Sequence, residues 1–483
     1  MDDGHASVTL NCLSMELVNR RKARPEVLLL VSLAALQFCL FQLWSYHRLA
    51  QHDDAGTRGS LDHLDKVVRY SYRSIDELMR RSERFPSIEE RLKVYMTSWY
   101  SPPMADKDYI FYRIFANGTA FVRELSNPRV PSPALVRVGT HPLRSRSLFR
   151  LDRQEILHCK EKGDAICKDV ADYILPALNR LHESGTNTVA PLLLQFGDAE
   201  EWHTFNPSIQ TNESYPDVPL IKKFRRALSR SDVTNITEQL SHSVDLPRHT
   251  QPIISIACNY KRHFGPLIEI PTIDTIPWSQ KRNASIWRGA LTGRNHLRKK
   301  FRHNASEICQ HIPRCQFVLS HQDSTLVDAR LIIVNDAPLP IPRRLNGYDL
   351  FADHKLSMAD LLEYKVLIIM EGNDVATGLK WSLFSESIVL MQRPHYTSWA
   401  MEELLEPWVH YVPIEQSDFS DVEAKVQWIM DHDAEAQEIV KNARLWIADL
   451  VFHPMVEKEN RMILDETMRR YQTHFRMDTA TSL

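Results

Sequence analysis

Short apolar runs alternate with segments of helical periodicity in the second half of the chain. Four apolar runs are predicted to be strands: SIWRGALTG (285–293), CQFVLS (315–320), YKVLIIMEG (364–372) and SIVLMQ (387–392). Three helical patterns accompany them: HLRKKFRHNASEIC (296–309), MADLLEY (358–364) and VATGLKWSLF (375–384). Strands that alternate with helices are typical of a parallel sheet in an α/β fold.

The first half of the chain has a more mixed pattern. Residues 109–125 alternate apolar and polar positions on both sides of Asn117, which predicts a β-hairpin. Residues 166–184 have a helical period. Two later apolar runs are predicted strands: VAPLLLQFGD (189–198) and PIISIACNY (252–260). Residues 265–283 are rich in Pro and Ile without a strong period, so we predict a connection between two domains there.

Helical patterns also occur near both ends of the globular region. Residues 74–81 and 88–96 indicate short helices after a polar stretch, and residues 421–430 and 434–452 indicate two more near the end. Asp433 suits the N-cap position of the last of these.

The N-terminus has the sequence features of a membrane anchor. Residues 27–44 carry no charge and are long enough to span a bilayer core of about 30 Å at about 1.5 Å per residue. Four cations precede this run: Arg20, Arg21, Lys22 and Arg24. The positive-inside rule then predicts a type II protein with its body in the lumen of the Golgi or ER. A cleaved signal peptide is the alternative interpretation.

The predicted elements divide the chain into six segments. These are a cytoplasmic tail (1–26), a signal-anchor helix (27–46), a stem (47–90), an N-terminal domain (91–265), a C-terminal domain (266–455) and a C-terminal helix or tail (456–483). With 43% hydrophobic residues and a formal net charge of -2, the chain is globular in composition, and nothing in it indicates a nucleic-acid partner.

Glycosylation sequons and cysteines also favour a lumenal body. Five N-x-S/T sequons follow the apolar run, at Asn117, Asn212, Asn235, Asn283 and Asn304. The closely spaced pairs Cys159/Cys167 and Cys309/Cys315 are candidate disulfides, which would leave Cys258 free; free thiols throughout are the alternative.

The most informative stretch is EGNDVATGLKW, directly after the apolar run 366–370. Ligands of open parallel sheets bind beyond the carboxyl ends of the strands. Gly372 allows the chain to turn sharply as it leaves the strand. Asp374 suits the N-cap of a helix that starts at Val375. The free N–H groups of its first residues, Val375, Ala376 and Thr377, would attract a diphosphate. The Glu371 carboxylate is a candidate acceptor for the hydroxyls of a ribose, and Lys380 is a candidate ligand for an anion. A capped crossover helix with a surface Lys–Glu pair is the alternative.

A second basic element lies in IWRGALTGRNHLR. Gly289 and Gly293 permit close backbone approach, Thr292 precedes the second glycine, and Arg288 and Arg294 are candidate phosphate ligands. The pattern is neither a P-loop nor the G-x-G-x-x-G dinucleotide fingerprint.

Four motifs, taken in this order, resemble glycosyltransferase family 90: WRGALTGRNHLR, LLEYKVLIIMEGNDVATGLKW, SESIVLM and PWVHYVPI. The resemblance covers about residues 185–455. It implies a GT-B fold, with two Rossmann-like domains facing a cleft, and inverting transfer of a sugar, xylose or glucose, from a UDP-sugar to a hydroxyl of a glycan, glycoprotein or lipid-linked acceptor. It also implies that Arg288 and Lys380 contact the diphosphate and that Asp198 is the catalytic base; a helix cap is the alternative role of Asp198.

Two other readings compete with this one. A metal-dependent transferase would need a D-x-D motif, but Asp431-His432-Asp433 lies between helical patterns, where capping explains it better, and we expect no metal cofactor. A lumenal module that binds a glycan or nucleotide sugar without turnover would need the same basic loops but no base. The sequence does not identify the donor sugar or the acceptor.

Overall fold

The computed structural model describes residues 74–81, 86–100, 110–114, 119–124, 134–139, 148–150, 157–158, 160–163, 165–184, 193–195, 220–228, 252–256, 264–293, 304–333 and 341–477. The predicted anchor, Asp198 and Arg294 lie outside these residues. Within the described part of the chain, no helix is both long and apolar enough to cross a bilayer. All described residues belong to one compact unit, residues 72–483.

A five-stranded parallel sheet forms the centre of the C-terminal half. Its strands are β9 Arg282–Gly289, β10 Val327–Leu331, β13 Tyr364–Ile369, β14 Ile388–Met391 and β16 Val412–Pro413. They lie in the order β10-β9-β13-β14-β16. β14 is buried along its whole length, as expected of a strand covered on both faces. The predicted α/β class and parallel sheet are confirmed, whereas the GT-B arrangement and the domain limits stay predictions.

Helices and short strands connect and cover this sheet. The helices are α5 Gly265–Ile273, α6 Ala305–His311, α7 Pro313–Ser320, α8 Met358–Leu362, α9 Leu379–Phe384, α10 Val422–Asp431 and α11 Asp433–Val451. A small hairpin is formed by β11 Arg344–Leu345 and β12 Tyr348–Asp349. Ser357 and Asp360 form a capping box at α8, which fixes where that helix starts before β13.

The N-terminal half contributes a second sheet. Its strands are β1 Ile110–Ile114, β2 Thr119–Glu124, β3 Ala134–Gly139, β4 Leu148–Arg150, β5 Leu193–Gln195, β6 Leu220–Lys222, β8 Ile253–Ile254 and β17 Phe475–Met477. β1 and β2 pair antiparallel, which confirms the predicted hairpin. β5, β6 and β8 pair in parallel, so their carboxyl ends lie at one edge. A separate two-stranded ladder joins β7 Arg225–Arg226 to β15 Tyr396–Thr397 of the C-terminal half.

Five helices complete the unit: α1 Ile75–Arg80, α2 Ile88–Met96, α3 Ala165–Asp169, α4 Leu175–Glu183 and α12 Val456–His474. A π-helical turn at Val170–Ile174 joins α3 to α4. Ser87 and Glu90 form a capping box that starts α2. On α4, Arg180 donates hydrogen bonds of 2.6, 2.9 and 3.1 Å to the carboxylate of Asp465 on α12. The helices predicted at both ends of the globular region are therefore confirmed.

One segment has a different structure from the one predicted. CQFVLS lies in helix α7, because Pro313 occupies the first helical turn and Cys315, Phe317 and Val318 pack into the core. A short apolar run does not by itself distinguish a strand from a buried helix. Within the predicted connection 265–283, residues 265–273 form helix α5, with Leu267 and Ile270 as its buried positions. That this stretch connects two domains stays a prediction.

The predicted capping roles of two aspartates are also wrong. Helix α9 starts at Leu379, not at Val375, and Gly378 instead of Asp374 occupies its N-cap position. Asp433 is the first residue of α11, after His432 at the N-cap. Its carboxylate accepts hydrogen bonds from Trp278 and from Lys365, which lowers its pKa below the usual range, the bond from Trp278 being the largest cause. Each aspartate instead contacts a side chain that is distant in the sequence, Lys223 for Asp374 and Trp278 for Asp433, and this tertiary contact outweighs the local preference of aspartate for the N-cap.

One predicted disulfide is present. Cys309 at the end of α6 is bonded to Cys315 on α7, and both cysteines are fully buried. Cys167 is also disulfide-bonded, and its predicted partner Cys159 lies outside the described residues.

Candidate functional site

The strand order creates a crevice between β9 and β13. After β9 the chain passes to β10 on one side, and after β13 it passes to β14 on the other side. Neighbouring strands whose connections diverge leave a gap beyond their carboxyl ends, where open α/β sheets bind ligands. The loops that line this gap are 290–293, after β9, and 370–378, after β13. They contain most of the residues that the sequence singled out.

Two glycines bring these loops into contact. Gly293 has a φ of 93°, a left-handed conformation that favours glycine, and its N–H donates a 2.9 Å hydrogen bond to Asn373 Oδ1. A Cβ at Gly372 would collide with Thr292 Oγ1. The two glycines therefore let the loops after β9 and β13 pack directly against each other.

Arg314 on α7, which the sequence analysis did not single out, joins the two loops. Its guanidinium donates to the carbonyl of Ala290 at 2.9 Å and to Thr292 Oγ1 at 2.7 Å on one side. On the other side it donates to the carbonyls of Met370 at 2.6 Å and Glu371 at 3.1 Å. Burial lowers its pKa from 12.5 to about 10, opposed by the charges of two nearby carboxylates, so the group stays cationic at neutral pH. The crevice thus has a buried positive charge beside it.

Glu371 links the crevice to the loop after β14. Its carboxylate accepts hydrogen bonds of 3.1 Å from the backbone N–H groups of His395 and Tyr396. It also lies 3.1 Å from Nδ1 of His395. Its predicted role with a ribose stays a prediction; the observed contacts assign it to positioning the 395–396 backbone.

The two predicted diphosphate ligands already have carboxylate partners. Arg288 donates a 2.8 Å hydrogen bond to Asp328 Oδ2 and a 2.9 Å bond to the carbonyl of the same residue. Lys380 is fully buried and forms an ion pair with Glu402, which is also fully buried. In these ion pairs, the charged groups of Arg288 and Lys380 are directed at carboxylates and not at the place where the two glycine loops meet. Their roles with a diphosphate stay predictions.

The ion pair of Glu402 fixes the loop after β14. The carboxylate also accepts a 2.6 Å hydrogen bond from the N–H of Ser398 and a 2.7 Å bond from its hydroxyl. Burial raises the pKa of Glu402, but the charge of Lys380 and the hydrogen bonds outweigh burial, so the pKa lies below its ordinary value.

Asp374 connects the crevice to the N-terminal half. Its carboxylate lies 2.6 Å from Nζ of Lys223, which directly follows β6. Since α9 starts only at Leu379 and has six residues, the segment Val375–Thr377 is not a helix N-terminus. The predicted helix start at Val375 is therefore wrong. The role of the Val375, Ala376 and Thr377 N–H groups with a diphosphate stays a prediction.

A separate cavity of about 340 Å³ lies at the opposite edge of the sheet, where Arg282, Val327 and Tyr364 begin their strands. It lies at the amino ends of the strands, so we assign the candidate site to the crevice at their carboxyl ends. Among the described residues, no three side chains of His, Cys, Asp or Glu converge as metal ligands.

Comparison with known proteins places this crevice in a family. A model described as Glycosyl transferase family 90 matches residues 268–458, which contain β9, β10, β13, β14 and both crevice loops. Residues 268–458 are therefore similar to glycosyl transferase family 90. The family resemblance of the sequence is therefore confirmed for this part of the chain.

Individual relatives carry related names. The chain is 29% identical over 232 residues to "O-glucosyltransferase LpsA" of Dichelobacter nodosus, which covers 48% of this chain and 62% of the relative. It is 29% identical over 168 residues to "Protein O-glucosyltransferase 2" of Danio rerio, covering 34% of this chain and 28% of the relative. It is 37% identical over 93 residues to "Protein O-glucosyltransferase 3" of Homo sapiens, covering 19% and 18%. The chain thus spans less than two thirds of these relatives.

We predict that Lys380→Met lowers the free energy of unfolding by about 3–5 kcal/mol, because it leaves the buried Glu402 carboxylate without its cation. Adding Glu402→Gln should recover most of the loss in denaturant titrations, since no buried charge remains. Because the folded pKa of Glu402 is depressed, the stabilisation is present above the unfolded pKa and is lost as pH falls through the folded value. Lys441→Met, at an exposed pair with Glu438, is the control and should change little. Equal losses in the single and double variants would contradict the assignment.

We predict that Arg314→Lys lowers the free energy of unfolding by about 2–4 kcal/mol, although the charge is kept. A single ammonium group cannot replace a planar guanidinium that serves four acceptors on two loops. Arg343→Lys, at an exposed pair with Asp353, is the matched control. Thermal or chemical denaturation of both variants measures the difference, and similar stabilities would remove Arg314 from this role.

Proposed function

We propose that the protein is a glycosyltransferase that moves a sugar, glucose or xylose, from a UDP-sugar to a hydroxyl of a glycan, glycoprotein or lipid-linked acceptor. The crevice between β9 and β13 supports the donor class most directly. It combines close backbone approach at Gly293 and Gly372 with the buried cation of Arg314. Backbone N–H groups and fixed cations are the means by which α/β proteins bind phosphates without a metal. The relatives named O-glucosyltransferases support the reaction type.

Strand pairing supports the proposed placement of the catalytic base. β5 leads towards Asp198, and its last residue, Gln195, lies opposite Lys222 of the parallel strand β6. The next residue, Lys223, forms the ion pair with Asp374 in the crevice loop. The carboxyl end of β5 therefore neighbours the end of β6, and the residue after β6 contacts the crevice loop. This arrangement supports the proposal that an acid following β5 acts as the base.

In the proposed reaction, the Asp198 carboxylate removes the proton of the acceptor hydroxyl as its oxygen attacks the anomeric carbon. The bond from this carbon to the diphosphate oxygen breaks, and UDP leaves on the opposite face, which inverts the configuration. The base takes the proton only as the new bond forms, because a free hydroxyl is very weakly acidic.

A panel of nucleotide sugars tests the proposal. The purified protein should hydrolyse or transfer from UDP-glucose or UDP-xylose, and a chelator should not abolish the activity. Asp198→Asn should lower turnover by about 100- to 10,000-fold with UDP affinity unchanged, because it removes the base and keeps its shape.

Glu200→Gln and Glu201→Gln are matched controls for neighbouring acids and should retain activity. Binding of UDP without turnover of any donor would favour the alternative, a module that binds nucleotide sugars. Loss of activity in Glu200→Gln or Glu201→Gln with active Asp198→Asn would move the base to that residue.

We also propose that the body of the protein is lumenal, anchored by residues 27–46 in the Golgi or ER membrane. The Cys309–Cys315 disulfide supports an oxidising compartment. Removal of N-linked glycans should shift the apparent mass towards 56.1 kDa, and protease added to intact microsomes should spare the body. Digestion of the body under these conditions would contradict a lumenal location.

A further inference from the structure

The imidazole of His395 lies at the rim of the crevice. Its backbone N–H lies 3.1 Å from both carboxylate oxygens of Glu371, and its Nδ1 lies 3.1 Å from Oε2. The side chain of His395 is 74% exposed, whereas that of Glu371 is 22% exposed. One side of the ring is therefore positioned by a carboxylate, while most of the ring remains accessible to a ligand.

The cationic side chains near the crevice are far less exposed than the side chain of His395. Arg288, Lys223 and Lys380 have side chains only 11%, 6% and 0% exposed, and each forms an ion pair with a carboxylate. Arg314 is buried and donates to the two loops. These groups shape the crevice and contribute potential, but their donors are directed at the protein. A dianionic ligand here needs an accessible cation as well.

Charges of both signs lie near His395: the Glu371 carboxylate favours an imidazolium, whereas two arginines oppose it. Glu371 faces it from the β13 loop, Arg226 lies on β7 opposite Tyr396, and Arg393 precedes it on its own loop. Glu371 is held in place by the backbone N–H groups of residues 395 and 396, so it stays close to the ring. A diphosphate placed beside this carboxylate adds negative charge, and two neighbouring negative groups favour protonation of an imidazole between them.

We propose that His395, oriented by Glu371, is a donor-binding residue that takes up a proton when a nucleoside diphosphate enters the crevice. The imidazolium donates a hydrogen bond to a phosphate oxygen, and the same charge stabilises the diphosphate as it leaves the sugar. This inference rests on the proposed function, since it requires a nucleotide donor. It assigns to the loop after β14 a part in binding that the sequence motifs placed elsewhere.

Proton uptake on UDP binding tests the proposal. Titration calorimetry in two buffers of different ionisation enthalpy, near pH 7, should show uptake of a fraction of a proton by the unaltered protein. His395→Gln should show less uptake and, at about pH 6, bind UDP about tenfold more weakly. The terminal phosphate of UDP also titrates near pH 6. Because it does so with both proteins, the difference between them isolates the imidazole.

His395→Lys keeps a positive charge that does not titrate near neutral pH, so it should restore UDP affinity without restoring the proton uptake. His158→Gln is the matched control, because His158 is 66% exposed and its Nδ1 lies 3.8 Å from Glu161. It should behave as the unaltered protein does. Exchange of His395 affects no buried side chain, and an unchanged melting temperature verifies that the fold is intact.

The outcomes separate the two proposals. UDP binding with the same proton uptake in the unaltered protein and in His395→Gln overturns the role of His395 and leaves the proposed function standing. Absence of UDP binding to the unaltered protein overturns both. A ratio of affinities between the two proteins that stays constant between about pH 6 and pH 8 also overturns the role, because an imidazole changes charge in this range.

Discussion

The arrangement of the candidate site depends on a carboxylate that has no contact with water. Glu402 is fully buried, and its charge is compensated by Lys380 from α9 and by the backbone and hydroxyl of Ser398. A buried charge is tolerated only when it is paired and hydrogen-bonded in full, so this group permits little variation in the segment around it. The loop after β14 is consequently fixed to the helix that follows β13.

The same segment is held by three other parts of the fold. Tyr95 on α2 donates a 2.7 Å hydrogen bond to the carbonyl of Trp399, and Trp446 on α11 donates a 3.0 Å bond to that of Ala400. The N–H of Ala227, after β7, donates a 2.7 Å bond to the carbonyl of His395. The accessible histidine therefore lies on a segment fixed on several sides. A fixed segment can present one exposed side chain to a ligand at small entropic cost.

Arg314 has the corresponding role on the other side of the crevice. Its four hydrogen bonds hold the loops after β9 and β13 against each other, and the glycines let the two backbones meet. Planar guanidinium groups suit such a joint, because their donors are directed to several acceptors at once. Together, the two buried cations Arg314 and Lys380 fix the loops that line the crevice.

The sequence by itself determined the α/β class, the parallel strands 364–369 and 388–391, the hairpin at Asn117, and the loops that line the crevice. These features follow from local apolar periodicity and from glycines at strand ends, so a short window of sequence carries them. Tertiary structure alone decided the partners of the charged groups. Lys380 meets Glu402, and Arg314 reaches acceptors 22, 24, 56 and 57 residues away. A cation next to a binding motif gives the same local signal whether it faces a ligand or a buried carboxylate, and only the packing of distant segments distinguishes the two.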